Sequence, residues 1–297
     1  MNTFNELIKK ICADLEIKIT SLSDEWLKVL EKNHQIHYIQ GYKFDLNNHG
    51  IGNIMDDKGL FFDLLSYKKI PIIEHYIIFS DYDKQKVLDY FNKNNHCLVI
   101  KGNIGTCGKE VFKVDNEKDL FTCINTLFLK EFSISLCPYY DIKNEYRVIL
   151  LDKKVRIVYG KERPLIIGDG NKTLQELARE FNDYYCDKEL KNGNYIPKKN
   201  EKIFLDFKFN LSQGSKMFID IEEGLQKRIE SLALKVVKEL DIPFCSVDII
   251  YTKDNKLLVM EANSGVMMDN YLRFMKDTGY LKVYNLYRDA ILMMFKD

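Results

Sequence analysis

Phe244-Cys245-Ser246-Val247-Asp248-Ile249-Ile250-Tyr251 and Leu257-Leu258-Val259-Met260-Glu261-Ala262-Asn263-Ser264-Gly265 read as two strands joined by the polar turn Lys253-Asp254-Asn255-Lys256. Side chains alternate across a strand, so Glu261 and Asn263 share a face, and antiparallel pairing brings Asp248 beside them. Asp248 lies between Val247 and Ile249, and a carboxylate inside an apolar strand needs a partner such as a cation. Three oxygen donors of this kind suit Mg²⁺, which takes a few protein ligands and completes its shell with water and phosphate. The same residues also read as a plain strand pair with solvated acidic ends.

Upstream, His96–Lys101 reads as a strand that enters a turn carrying Gly102, Gly105 and Gly108 and leaves through a second strand ending at Val114. Glycines let backbone N–H groups approach phosphate oxygens, and Lys101 adds positive charge beside them. A hairpin with a flexible tip fits this segment equally well, and the spacings of the dinucleotide fingerprint and of the P-loop are both absent. Arg147–Leu151 and Val155–Val158 read as further strands. Leu225, Ile229, Leu232, Ala233, Val236, Val237 and Leu240 form the apolar stripe of a helix ended by Pro243. Thr173 followed by Glu176 reads as a capping box that opens another helix after the turn Gly168-Asp169-Gly170. Strands and helices alternate, so the fold class is α/β (α+β) with antiparallel pairs.

The 297 residues hold 44 Lys+Arg against 44 Asp+Glu and are 46% hydrophobic, enough for one large or several small cores. Formal neutrality leaves no electrostatic footprint for nucleic acid or for an anionic membrane surface. The N-terminus lacks the unbroken apolar run of a signal peptide. Seven cysteines, scattered without a C-x-x-C pair, read as reduced thiols in a cytoplasmic protein.

Both segments, with what lies between them, resemble the ATP-grasp superfamily, most closely the ATP-grasp portion of cyanophycin synthetases and of bifunctional glutathione-synthesising enzymes. The resemblance runs in family order through Asp57-Lys58, Leu98–Val114, Lys130-Glu131-Phe132, Asn144-Glu145-Tyr146-Arg147-Val148, Arg163-Pro164, Ile167–Thr173, Asn210–Gly214, Ser246–Ile250 and Met260–Gly265. It covers about residues 55–270.

By this resemblance Lys58 and Lys101 hold nucleotide phosphates under a lid formed by Gly102, Gly105 and Gly108, while Glu131 and Phe132 form the adenine-reading hinge. Glu145 resembles the ribose-facing acid, with Asp141 as a competitor. Asp248, Glu261 and Asn263 match the magnesium ligands. Arg147 and Arg163 resemble catalytic arginines near the transferred phosphate and the acyl phosphate. Asn210, Ser212, Gly214, Ser264 and Gly265 match loops lining the acyl phosphate and the carboxylate substrate. The implied cofactors are ATP and Mg²⁺, as two ions for which Mn²⁺ can substitute.

The implied reaction activates a carboxylate of an amino acid or short peptide as an acyl phosphate. An amine then attacks, forming an amide with release of ADP and phosphate. No protein nucleophile is required, so Cys107 needs no catalytic role. A modifier of a protein or ribosomally made peptide, and a regulatory nucleotide-binding protein without turnover, are the alternatives. Neither the Mur-ligase-like domain of the cyanophycin enzymes nor the glutamate–cysteine ligase half of the glutathione enzymes is matched, so the chain reads as a stand-alone ligase. Three lobes are expected: residues 1–55 for substrate, 56–132 for the lid, and 133–297 with the metal site, ATP lying between the last two. The resemblance allows a homo-oligomer. The stretch Gln40–Gly50 reads as acceptor-pocket lining or as a plain surface loop.

Overall fold

The alternating apolar runs of the chain become strands, and among the described residues three larger sheets and one two-stranded sheet, with their helices, build the fold. A computed structural model describes residues 3–104 and 110–296. Helix α1 (Thr3–Asp14) precedes an antiparallel meander of β1 (Lys18–Leu22), β2 (Leu27–Lys32), β3 (Gln35–Gln40) and β4 (Lys43–Phe44). Helices α2 (His49–Asp56) and α3 (Lys58–Tyr67) follow, separated by Asp57. Asp57 has an extended backbone that ends α2, and its carboxylate accepts from Leu60 N to open α3. That single cap fixes Lys58 as the first residue of α3.

A second antiparallel sheet, in the order β5-β8-β6-β7, combines β5 (Tyr76–Phe79), β6 (Leu98–Gly102), β7 (Phe112–Val114) and β8 (Ser133–Pro138). Helices α4 (Lys84–Lys93) and α5 (Glu117–Phe128) cover it, with Val87, Phe91, Leu120, Ile124 and Leu127 buried against Leu98, Ile100, Ile134 and Leu136.

The third sheet has the order β13-β10-β9-β14-β15, made of β9 (Ile142–Leu151), β10 (Lys154–Glu162), β13 (Lys216–Phe218), β14 (Phe244–Thr252) and β15 (Leu257–Asn263). Between β10 and β13 lie the small pair β11 (Leu165–Ile167) and β12 (Lys202–Phe204) and helix α6 (Leu174–Phe181). The capping box read from Thr173 and Glu176 is present in both directions. Helix α7 (Glu223–Glu239) lays Ile229, Ala233, Val236 and Val237 on Val148, Val247 and Ile249. Each such fully buried Val or Ile is worth about 1.5–3 kcal/mol, more than the helix-propensity penalty of its branched side chain.

The opposite face of this sheet meets helices α8 (Asp269–Met275) and α9 (Asp277–Met294) together with α1 and the N-terminal meander. The first segment thus shares one core with the C-terminal half: Phe4, Ile8, Ile39 and Phe44 pack with Phe244, Leu286 and Tyr287. Helices α2 and α3 also pack on the third sheet, through Ile51, Met55, Phe61 and Leu65. The division expected after residue 55 falls inside the last turn of α2, and that expected after residue 132 falls just before β8, which pairs with the lid sheet. No described helix is long and apolar enough to cross a membrane. The six cysteines among the described residues carry free thiols.

Candidate active site

Strand register assembles one wall. Asp248 lies opposite Arg147 on β9 and opposite Glu261 on β15. Two steps along, Glu145 faces Lys161 of β10, and Tyr159 faces Arg147. Partners directly opposite project to one face, so Glu145, Arg147, Tyr159, Lys161, Asp248, Glu261 and Asn263 line one side while Tyr146, Val148, Val247 and Ile249 enter the core under α7. This is why an aspartate is tolerated between two buried aliphatic residues.

The polar row is wired together. Arg147 Nε donates to Asp248 Oδ1 at 2.8 Å and Arg147 Nη2 to Asp248 Oδ2 at 2.5 Å, a forked pair. Lys161 Nζ donates to Glu145 Oε1 and, at 3.3 Å, to Asp248 Oδ1. Asp248 is 1% exposed, Lys161 4% and Glu145 5%. Burial works to raise the Asp248 carboxyl, but Arg147 and Lys161 outweigh it and hold it at about 2. Burial pushes Glu145 up against the pull of Lys161. Lys161 is pressed down by burial and by Arg147, yet Asp248 and Glu145 carry it above its usual value.

The lid sheet supplies the opposing wall. Lys58 Nζ donates to the Asn103 carbonyl at 3.0 Å, and Gly59 N donates to Asn103 Oδ1 at 3.0 Å. Buried Asn103 thus ties the first turn of α3 to the end of β6, just past Lys101. Burial and the Lys101 charge lower Lys58 to about 8, while Glu261, Asp57 and Glu131 pull the other way. Lys58 therefore stands within electrostatic reach of both lysine-bearing and acid-bearing walls. The Glu131 carboxyl group packs against Gly102, 2.7 Å from where a Cβ would lie, and would have to swing aside for any larger residue there.

Sequence reasoning missed His75 and Lys161. His75 is buried, pairs through Nδ1 with Ser135 Oγ at 2.7 Å, and is kept neutral by burial and by Lys101 and Lys58, which push it down to about 2. Its position beside Glu74 in the interruption of the apolar run Ile72–Ile78 was the available signal. Lys161 was legible only by counting two residues on from Tyr159 along β10.

Other expected positions lie elsewhere. Arg163 falls after the end of β10 and stacks its guanidinium 3.9 Å from the Phe204 ring centroid, so it joins the small β11–β12 pair and Lys161 takes the place beside Arg147. Phe132 is 84% exposed and touches only the Phe79 ring among aromatic side chains of the described residues, and Glu131 N donates to Leu127 O at the end of α5. The chain crosses from the lid sheet to the third sheet at residues 139–141, later than the expected hinge. Asn210 and Ser212 bond to each other in a tight turn closed by Gly214 at φ +92°. Ser264 Oγ is buried without a hydrogen-bond partner, and Gly265 lies against Tyr42 and Lys43. Gly105, Cys107 and Gly108 lie outside the described residues.

The donor set fits a divalent cation in part. Asn263 Nδ2 donates to Glu261 Oε1 at 3.2 Å, and both residues are partly exposed, with Glu261 Oε2 and Asn263 Oδ1 not engaged by that bond. Asp248 instead spends its oxygens on Arg147 and Lys161, and no group of three His, Cys, Asp or Glu side chains among the described residues is arranged to hold a metal.

No family model matches the chain. It is 24% identical over 270 residues to the glutathione biosynthesis bifunctional protein GshAB of Clostridium perfringens, covering 82% of this chain and 34% of that one. The corresponding protein of Enterococcus faecalis is 24% identical over 272 residues. The chain thus spans about a third of the length of these curated relatives. Among solved structures, a bifunctional glutathione synthetase from Pasteurella multocida superposes with a TM-score of 0.56 at 19% identity, over 99% of this chain and 43% of that one. D-alanine–D-alanine ligase from Bacillus anthracis complexed with ATP gives 0.56 at 18% identity, over 84% and 70%. The fold of this chain is that of the ATP-grasp ligases.

Proposed function

We propose that the chain is an ATP-dependent carboxylate–amine ligase that forms an amide bond between an amino acid or short peptide and an amine. What supports this reading is the pair of lysines at the start of α3 and the end of β6, Lys58 and Lys101, together with the Arg147–Asp248 pair and Glu261 opposite Asp248 on the third sheet. A carboxylate and a γ-phosphate repel each other until cations hold them in line.

Lys58 and Lys101 bind the nucleotide phosphates, and the neutral His75 packs beside them without adding charge. Arg147 and Lys161 present cations where negative charge builds up during transfer. A carboxylate oxygen of the substrate attacks the γ-phosphorus with loss of ADP, and the amine then displaces phosphate from the acyl carbon. Glu261 and Asn263 are the residues that would hold Mg²⁺ or Mn²⁺, whose chemistry is to neutralise phosphate oxygens and orient them. Arg147 holds Asp248 in position and keeps the sheet face charged in balance. The crossing at 139–141, between the two sheets, is the place for the flat base.

The reading is tested by ADP release from Mg²⁺-ATP against pools of amino acids and dipeptides, each pool searched by mass spectrometry for a new amide. Pool-dependent ADP, with a product lighter by one water than its two parts, is the expected result. ATP binding without turnover from any pool contradicts it and points to a macromolecular acceptor or a nucleotide sensor.

A further inference from the structure

An α-helix leaves its first N–H groups without partners of its own, and at the start of α3 each of them is taken up. Lys58 N donates to the Asn103 carbonyl at 3.3 Å, Gly59 N to Asn103 Oδ1 at 3.0 Å and Leu60 N to Asp57 Oδ1 at 2.9 Å. Asp57 is the helix's own cap, whereas Asn103 follows the end of β6 and lies 45 residues away in the chain. With these three groups engaged, α3 offers an anion the side chain of Lys58 and not its N-terminal N–H groups.

Asn103 is itself held in place. It is 4% exposed, its N–H donates to the Ser133 carbonyl at 3.0 Å, and Ile104 after it forms an antiparallel bridge with Asp57. Gly59 packs against Ile77 of β5, so α3 begins against the lid sheet, although Phe61 and Leu65 of the same helix are buried on the third sheet. The carbonyl that accepts from Lys58 N also accepts from Lys58 Nζ, at 3.0 Å. Backbone and ammonium of one residue are thus referred to a single buried oxygen. Ordering a long side chain opposes binding, and an ammonium already seated on a carbonyl has lost that freedom beforehand. An ammonium carries three hydrogens, so one such bond does not exhaust it.

Resting on the ligase reading, we propose that Asn103 is a positioning residue for ATP: by seating Gly59 N on its amide and the Lys58 ammonium on its carbonyl, it holds that ammonium where the nucleotide phosphates arrive. It touches no substrate atom and acts only through Lys58. The part that substitution removes is the amide, since any residue at this position keeps the carbonyl. Without Oδ1 the buried Gly59 N loses its acceptor, and the carbonyl is no longer locked against the first turn of α3. A clamp that merely joined the lid sheet to α3 would instead loosen the whole cleft, whatever side chain stood at position 58.

The test is a double-variant cycle on the full chain, with Mg²⁺-ATP affinity read by titration calorimetry. Asn103→Ala weakens ATP by about fivefold, and the variant carrying both Asn103→Ala and Lys58→Ala binds no more weakly than Lys58→Ala alone. Asn103→Ser, which leaves a shorter oxygen acceptor, gives a smaller loss and the same pattern, and it replaces the alanine variant in the cycle if that protein is unfolded by circular dichroism. Losses that add across the two positions, or folded Asn103 variants that bind ATP as the wild type does, overturn the proposal and leave the ligase reading standing. Unchanged ATP affinity in Lys58→Ala also overturns it, because Asn103 would then have nothing to position. A wild type that does not bind Mg²⁺-ATP overturns the ligase reading itself, and the proposal with it.

Discussion

Two buried lysines face the same cleft in opposite circumstances. Lys58 is lowered to about 8 because burial and Lys101 outweigh the acids around it, whereas Lys161 is raised because Asp248 and Glu145 outweigh burial and Arg147. The lid wall therefore holds positive charge that an anion from outside would relieve. The buried group on the sheet wall balances its own charges, Arg147 and Lys161 against Asp248 and Glu145, and gains order rather than affinity. On the ligase reading proposed above, the lid wall would receive the phosphates while the sheet wall stays fixed.

The sharpest way to break this contrast is to unbalance the sheet wall. Asp248→Ala leaves Arg147 and Lys161 buried with Glu145 alone, and a broken buried pair costs about 3–5 kcal/mol; chemical denaturation should show that loss together with the loss of turnover. Lys161→Met alone should destabilise by a similar amount, about 3–5 kcal/mol, since it strands Glu145, while Lys161→Met with Glu145→Leu should recover most of it. Failure of the double variant to recover would mean that Lys161 is held by packing rather than by charge.

Lys58→Ala should act the other way, weakening ATP by at least tenfold, about 1.4 kcal/mol, with little change in the unfolding midpoint. Removing a desolvated cation costs the fold nothing electrostatically. The pH dependence sharpens the point. Because folding lowers the Lys58 value, the unfolded chain binds more protons above about pH 8, so Lys58 makes stability rise, not fall, between about 8 and its ordinary value of 10.5. ATP affinity should decline over the same range as the ammonium is lost. Lys58→Arg, charged throughout, should remove that decline.

For Asp248 the slope has the same sign: its folded value of about 2 lies below the ordinary 3.8, so its contribution is present above pH 3.8 and lost as pH falls toward 2. Acid unfolding of the wild type should steepen in that window. The smallest effect expected is that of Thr173→Ala, about 1 kcal/mol from the capped end of α6, with no change at either wall.

Much of this arrangement was legible because it is local. Strand alternation placed Asp248, Glu261 and Asn263 on one face, the apolar stripe gave α7, and the Thr173–Glu176 spacing gave the start of α6. The N-terminal meander was not legible, because its first two turns use positive-φ residues such as Ser23, Asp24, Asn33 and His34 in place of glycine, and only the β3–β4 turn carries one, Gly41. The resemblance pointed to Arg163, and Lys161 was not singled out, because a run of Lys161, Glu162 and Arg163 before Pro164 does not show where β10 ends. Tyr42 could not be connected to Asp269 from sequence, since 227 residues separate them and only the shared core brings them together.

The central claim is that the cleft activates a carboxylate by phosphorylation, and oxygen transfer tests it most directly. With amino-acid and dipeptide pools labelled with ¹⁸O in the carboxylates and incubated with Mg²⁺-ATP, the account predicts one labelled oxygen in the released phosphate and one lost from the amide product. ADP release with unlabelled phosphate would contradict it, because water or a hydroxyl rather than a carboxylate would then have taken the phosphoryl group.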